Sequence, residues 1–76
     1  MKIQEELTLS SLKDSHHRLV EEVKTHNEVE IISQKVDTAG IQFLLFLKKT
    51  KPTLKISLTS KEVQDLAKLL GADKCL

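Results

Sequence analysis

The side chains that could carry out chemistry in this chain of 76 residues are few and scattered. His16 and His17 are adjacent, so on a helix they point about 100° apart, and neither they nor His26 has a cysteine nearby. We therefore expect His16 to be a partly buried, packed side chain rather than a metal ligand. No Ser-His-Asp or Cys-His arrangement can be assembled, and two glycines do not make a phosphate-binding loop. The sequence indicates a protein that is not an enzyme and has no metal or cofactor.

The segment from Asp37 to Gly40 is the most suggestive local feature. Asp37 is a strong helix N-cap, because an apolar run at helical spacing follows it. Thr38 would then present a hydroxyl at a helix N-terminus, just beyond the carboxyl end of a strand, where ligands and partners of open α/β sheets bind. A phosphate at this point would meet free backbone N–H groups. The alternative is a plain helix cap whose small residues let helix and sheet pack closely.

Hydrophobic periodicity predicts six elements that alternate between strand and helix. In chain order they are a strand at 3–9, a helix with a capping box at 11–14 that ends near 25–27, a strand at 29–36, a helix from 37 to 49, a strand at 54–58, and a helix with a capping box at 59–62 that Gly71 ends. This βαβαβα order predicts an α/β fold with a small, mostly parallel sheet, the 29–36 strand at its centre and helices covering it.

The second helix is apolar on two sides. Ile41, Leu44 and Leu45 fall on one side, and Phe43, Phe46 and Leu47 occupy much of the other. Either the neighbouring helices cover the phenylalanine side, or this side is a partner surface. The sequence leaves both possibilities open.

Charge and composition favour neither nucleic acid nor membrane insertion as a binding mode. Lys and Arg number 12 against 11 Asp and Glu, which gives a net charge of +1, and the only aromatic residues are two Phe. A basic stretch around Pro52 could contact phosphate or an acidic partner, or could be a solvated helix end; it comprises Lys48, Lys49, Lys51 and Lys55.

Length and cysteine usage predict one domain, at 1–76, in the cytosol. A chain this short has room for one core only. Its single cysteine, Cys75, cannot form an internal disulfide, which fits a reducing compartment. The amino end has no apolar signal region, and the longest apolar run, 43–47, is too short to span a bilayer.

The segment Val36-Asp37-Thr38-Ala39-Gly40-Ile41-Gln42-Phe43-Leu44-Leu45, preceded by the strand that starts at Val29, resembles the central motif of the STAS domain, the domain of sulfate transporters and anti-sigma-factor antagonists. Residues 6–9 and 56–71 are similar to the opening and the close of that domain, so the resemblance covers nearly the whole chain. In anti-sigma-factor antagonists the motif is Asp-Ser-(Ser/Thr)-Gly, and an anti-sigma kinase phosphorylates its first hydroxyl residue. Thr38 matches that position, whereas Ala39 replaces the second hydroxyl.

The resemblance implies a bacterial signalling adaptor or phosphorylation switch. Its protein partner would be an anti-sigma kinase-like protein, a chemotaxis protein or an ABC ATPase. Thr38 would be the phosphoacceptor or a contact residue, and the further partner-binding residues would be Asp37, Ala39, Gly40, Ile41 and Phe43. Two alternatives stay open, a module that binds a nucleotide or lipid and a structural subunit of an oligomer such as a homodimer.

Overall fold

The computed structural model describes residues 1–76, and strands alternate with helices along the whole chain. The elements are β1 (Lys2–Ile3), α1 (Leu9–Val23), β2 (Glu28–Ile31), α2 (Thr38–Thr50), β3 (Lys55–Leu58) and α3 (Lys61–Leu69). The predicted βαβαβα order and the α/β class are confirmed. None of the three helices is long and apolar enough to cross a membrane.

The sheet has the strand order β1-β2-β3, and both pairs are parallel. In the register of the sheet Ile3 lies beside Ile31, and Val29 lies beside Ile56. A parallel neighbour requires a crossover connection, and α1 and α2 supply the two crossovers. The β-branched β2 is therefore the central strand, as predicted.

One face of this sheet carries the core and the other is polar. Val29 and Ile31 are buried, whereas Glu28 is exposed and Glu30 forms an ion pair of 4.0 Å with Lys2. Parallel sheets are usually covered on both faces, so an open charged face is unusual. The Cα atoms span 29 × 26 × 17 Å, and the smallest dimension fits one sheet and one helix layer.

The core lies between the sheet and the helix layer. Its largest fully buried side chains are Ile3, Leu7, Leu19, Val29, Ile31, Ile41, Leu44, Leu47, Leu54 and Val63. Every element except β3 contributes at least one of them. Ile56 and Leu58 of β3 are partly buried and pack against the same cluster.

The predicted first strand, at 3–9, is wrong beyond Ile3. Leu7 forms only an isolated bridge with Val36, and α1 begins at Leu9, about one turn before the predicted start. The N-cap is Thr8, whose Oγ1 accepts a hydrogen bond from the backbone N–H of Ser11 at 3.4 Å. The predicted capping box required Ser11 to be the N-cap, but Ser11 is instead a residue of the first turn.

The second strand is shorter than predicted, because pairing with both neighbours ends at Ile31 instead of Val36. Ser33 is buried, and its Oγ accepts a hydrogen bond from the backbone N–H of Lys35 at 3.1 Å. A serine side chain that binds the backbone two residues ahead forms a turn and competes with the strand ladder. The chain then passes through Val36 into α2.

The third helix begins and ends by different means. Its N-cap, Ser60, makes no side-chain capping bond, and Thr59 Oγ1 donates instead to the Ile31 carbonyl at 2.9 Å, so the predicted capping box at 59–62 is wrong. The predicted end at Gly71 is confirmed, because Gly71 has a φ of 72°. The N–H groups of Gly71 and Ala72 donate to the carbonyls of Lys68 and Ala67 at 3.0 and 2.8 Å, which makes a Schellman motif.

The outer edge of β3 is partly occupied by side chains of the neighbouring helices. Lys48 Nζ donates to the Leu54 carbonyl, and Gln64 Nε2 donates to the Leu58 carbonyl at 2.6 Å. Residues 55 and 59 use their N–H groups to bond the β2 side. Leu54 and Leu58, one residue away from these, therefore direct their carbonyls to the free edge.

Candidate interaction site at the start of the second helix

Two helices begin side by side at the edge of the sheet where the parallel strands end. β1 and β2 lead through short connections into α1 and α2, so the first turns of both helices lie at the carboxyl ends of these strands. Asp37 joins the two. Its Oδ1 accepts from the N–H of Gly40 at 2.9 Å, and its Oδ2 accepts from the N–H of Leu9 at 3.0 Å. One carboxylate thus caps its own helix and binds the start of the other.

The balance of these interactions keeps Asp37 ionised. Partial burial acts to raise the pKa of Asp37, but hydrogen bonds from backbone N–H groups, first that of Leu9 and then that of Gly40, outweigh it and hold the pKa below its ordinary value. The carboxylate accepts the N–H of Gly40, which is one of the groups that a phosphate at this helix start was expected to meet, so a phosphate would compete with the protein's own anion there.

Gly40 lets α2 approach the segment that follows β1. A Cβ at this position would lie 2.1 Å from the Leu7 carbonyl oxygen and 2.8 Å from Val36 Cγ1. The same Leu7 carbonyl accepts the N–H of Asp37 at 3.2 Å. Any side chain at residue 40 would push the two segments apart, so the glycine is a structural requirement of the site.

The other predicted site residues differ in accessibility. Thr38 is exposed and its hydroxyl makes no hydrogen bond within the protein, and Ala39 is half-buried. Ile41 is fully buried in the core, so we leave it out of the proposed contact surface. Phe43 is 5% exposed, whereas Phe46 is 47% exposed. The first helix therefore covers one of the two rings, which answers the question left open by the two-sided pattern of α2.

An apolar groove of about 360 Å³ lies beside Thr38, between the first halves of α1 and α2. We call it the α1–α2 groove, and its lining residues are Leu9, Leu12, Lys13, His16, Ala39, Gln42, Phe43 and Phe46. Leu9 is 61% exposed at one end of it. Sequence reasoning missed this residue, since it placed Leu9 in the first strand.

His16 lines this groove and lies beside both phenylalanine rings. Its ring centroid lies 5.1 Å from that of Phe43 and 6.0 Å from that of Phe46, with tilted planes. The side chain is exposed, so its predicted partial burial is wrong, although the predicted packing against apolar side chains is present. The structure contains no group of three or more His, Cys, Asp or Glu side chains that could hold a metal ion.

Two lysines of the basic stretch make structural hydrogen bonds. Lys51 Nζ donates to the carbonyls of Val23 and Lys24 at 3.4 and 3.3 Å and also to that of His26, so it binds the carboxyl end of α1. Lys48 Nζ donates to the Leu54 carbonyl at the edge of β3. Lys49 and Lys55 are exposed. This arrangement favours the helix-end interpretation of the stretch over a phosphate site.

Comparison with known proteins gives no relative, since no family model, no curated protein and no solved structure matches the chain.

Proposed function

We propose that this chain is a non-enzymatic, cytosolic interaction adaptor of the STAS type. It binds a protein partner through the Thr38 junction, which we define as residues 37–40, together with the adjoining part of the α1–α2 groove. The resemblance around Asp37-Thr38-Ala39-Gly40 suggests the class of partner: an anti-sigma kinase-like protein, a chemotaxis protein or an ABC ATPase. No residue of the chain has a catalytic role in this proposal.

The observation that carries the proposal is the position of Thr38. Its hydroxyl is exposed and free of internal hydrogen bonds, at the carboxyl edge of a parallel sheet and on the first turn of α2. Four residues further on, Gln42 lines the α1–α2 groove, so Thr38 and the groove lie on neighbouring parts of one surface. A partner that covers the groove would therefore also meet Thr38.

Phosphorylation of Thr38 would act as a switch in this arrangement. A phosphate adds about −1.5 to −2 charges at neutral pH. The dipole of α2 would favour this charge locally, but the adjacent Asp37 carboxylate is also ionised, so the surface that a partner meets would become strongly negative. Binding of a partner with a neutral or acidic contact surface would fall, whereas a partner with an arginine at this position would gain affinity.

The test compares wild type with Thr38→Ala and Thr38→Glu. Each protein is immobilised and exposed to an extract of the source organism, retained proteins are identified by mass spectrometry, and the Kd of a purified candidate is measured by calorimetry. A true partner binds wild type and Thr38→Ala, and binds Thr38→Glu at least about tenfold more weakly, which is about 1.4 kcal/mol.

Lys55→Glu is the matched control, because it adds negative charge on the open sheet face, away from α2. It should leave the Kd unchanged. Equal binding of Thr38→Glu and wild type would exclude the Thr38 junction as the interface. A nucleotide or lipid that raises the melting temperature in a ligand screen would instead support the small-ligand alternative.

A further inference from the structure

We propose that the α1–α2 groove binds the apolar face of an amphipathic helix with acidic flanks, provided by the partner protein. This inference rests on the proposed adaptor function and adds the chemistry of the partner. It is drawn from the exposure, dimensions and charge of the groove.

Apolar side chains remain exposed at both ends of the groove. Leu9 is 61% exposed on α1 and Phe46 is 47% exposed on α2, while Phe43 forms part of the floor between them. Large apolar side chains that lie together on a surface mark interaction sites, whereas a single exposed leucine does not. Leu69 at the end of α3 is 82% exposed and its neighbour Leu70 is 43% exposed; Leu69 lies outside the groove and provides a control.

The length of the groove fits a helix of about two turns. Its α1 wall runs from Leu9 to His16 and its α2 wall from Ala39 to Phe46, and the first and last residues of each wall are seven positions apart, or about 10 Å along a helix. A helix that docks in a groove inserts side chains at positions i, i+3 or i+4, and i+7, which lie about 10 Å apart from first to last.

The charged residue that lines the groove favours a docked helix with acidic flanks. Lys13 is the only Lys, Arg, Asp or Glu among the lining residues of the groove, and α2 contains no acidic residue. Asp14 of α1 lies instead beside Arg18, in a separate surface cluster with Glu5 and Glu6. The Asp37 carboxylate at the end of the groove is engaged by backbone N–H groups. Acidic side chains on a docked helix would therefore face Lys13, and no Asp or Glu is among the residues that line the groove.

A second copy of the chain is a poorer occupant on the same grounds. A symmetric pairing through this surface is isologous, so each groove would face the same set of lining residues on the other copy, which includes Lys13 but no carboxylate to pair with it. Like charges placed across an interface oppose association.

The experiment uses the full chain and two synthetic amphipathic peptides. Both carry leucines at i, i+4 and i+7, and one has glutamates and the other lysines along the flanks. Binding is measured by fluorescence anisotropy, and the contact surface is mapped by chemical-shift changes of the ¹⁵N-labelled protein. We expect the glutamate peptide to bind at least about tenfold more tightly than the lysine peptide and to shift the groove residues.

Three variants and one control make the result specific. Leu9→Ser and Phe46→Ser should each weaken binding of the glutamate peptide about tenfold, Lys13→Glu should reverse the preference between the peptides, and Leu69→Ser should change nothing. All four positions are exposed, and thermal unfolding of each variant confirms that it folds.

Four results would overturn the inference. They are equal affinity for the two peptides, unchanged affinity of Leu9→Ser, chemical-shift changes outside the groove, and self-association that Phe46→Ser abolishes, which would make a second copy the occupant. Failure here is distinguishable from failure of the adaptor function. If Thr38→Glu loses the natural partner while Leu9→Ser retains it, only the groove inference falls. If the glutamate peptide binds the groove but Thr38→Glu retains the natural partner, only the Thr38 junction falls.

Discussion

The two ends of the α1–α2 pair are held by opposite charges and in different ways. At the amino end the short side chain of Asp37 receives N–H groups from both helices at 2.9 and 3.0 Å. At the carboxyl end the long side chain of Lys51 reaches from the end of α2 to three carbonyls at the end of α1. An anion at the amino end and a cation at the carboxyl end both match the helix dipoles.

The two ends of the α1–α2 pair differ in rigidity and in the size of the groove or cleft beside them. Asp37 is part of a close approach that Gly40 makes possible, so the amino end has one geometry. Lys51 is a flexible side chain that lines a small cleft of about 220 Å³ between the helix ends, whereas the amino end carries the larger α1–α2 groove. A rigid frame beside an open apolar groove suits a binding surface, because little conformational entropy is lost on association.

The largest effect is expected from a substitution that breaks the close approach between Gly40 of α2 and the Leu7 carbonyl at the amino end. Gly40→Ala would place its Cβ 2.1 Å from the Leu7 carbonyl oxygen, so α2 must move. We expect a loss of about 3 kcal/mol or more in the free energy of unfolding, measured by urea denaturation. Gly71→Ala is the control, because no atom lies within 4 Å of its new Cβ. Only the positive φ opposes this substitution, so the expected loss in the free energy of unfolding is about 1–2 kcal/mol. A smaller loss for Gly40→Ala than for Gly71→Ala would contradict the close approach.

The second largest effect is expected when the Asp37 carboxylate, which joins the starts of α1 and α2, is removed. Asp37→Ala leaves the N–H groups of Gly40 and Leu9 without their side-chain acceptor, and the expected loss is about 2 kcal/mol in the free energy of unfolding. Asp65→Ala, at an exposed position on α3, should cost less than about 0.5 kcal/mol. If the two variants have the same urea midpoint, Asp37 does not join the helices in solution.

The same carboxylate makes the amino end sensitive to pH. Because the folded-state pKa of Asp37 lies below its ordinary value, its contribution to stability is complete above the unfolded pKa of about 4 and is lost as the pH falls through the folded value. The difference in unfolding free energy between wild type and Asp37→Asn should therefore be constant from neutral pH to about 5 and shrink in more acidic solution. A difference that grew on acidification would have the wrong sign.

The smallest effect concerns the carboxyl end. Lys51→Met retains most of the aliphatic chain but removes the ammonium from the carbonyls of Val23 and Lys24, and we expect a loss of about 0.5–1 kcal/mol. Lys49→Met changes an exposed lysine of the same helix turn and should have almost no effect. Equal thermal stabilities of the two variants would show that Lys51 does not hold the end of α1.

Local patterns predict the elements whose signals lie within one short segment. The start of α2 follows from Asp37, a strong N-cap directly before an apolar helical run, and the end of α3 follows from Gly71. The central position of β2 follows from its β-branched residues and from the helical connections on either side of it.

The start of α1 depends on information from elsewhere in the chain. Thr8, Ser10 and Ser11 are all good capping residues, so local propensity does not choose among them. The observed start at Leu9 is stabilised by its hydrogen bond to Asp37, a residue 28 positions later. Because Leu9 was assigned to a strand, the α1–α2 groove could not be predicted, although its other wall was recognised as an unusually apolar helix.

The side chains along the outer edge of β3 have a consequence for how copies of this protein meet. Lys48 and Gln64 occupy the carbonyls of Leu54 and Leu58, on either side of Ile56. A strand from another molecule would have to displace both side chains before it could pair along this edge. Edge-to-edge polymerisation of the amyloid kind is therefore opposed by a lysine and a glutamine that the fold brings to its last strand.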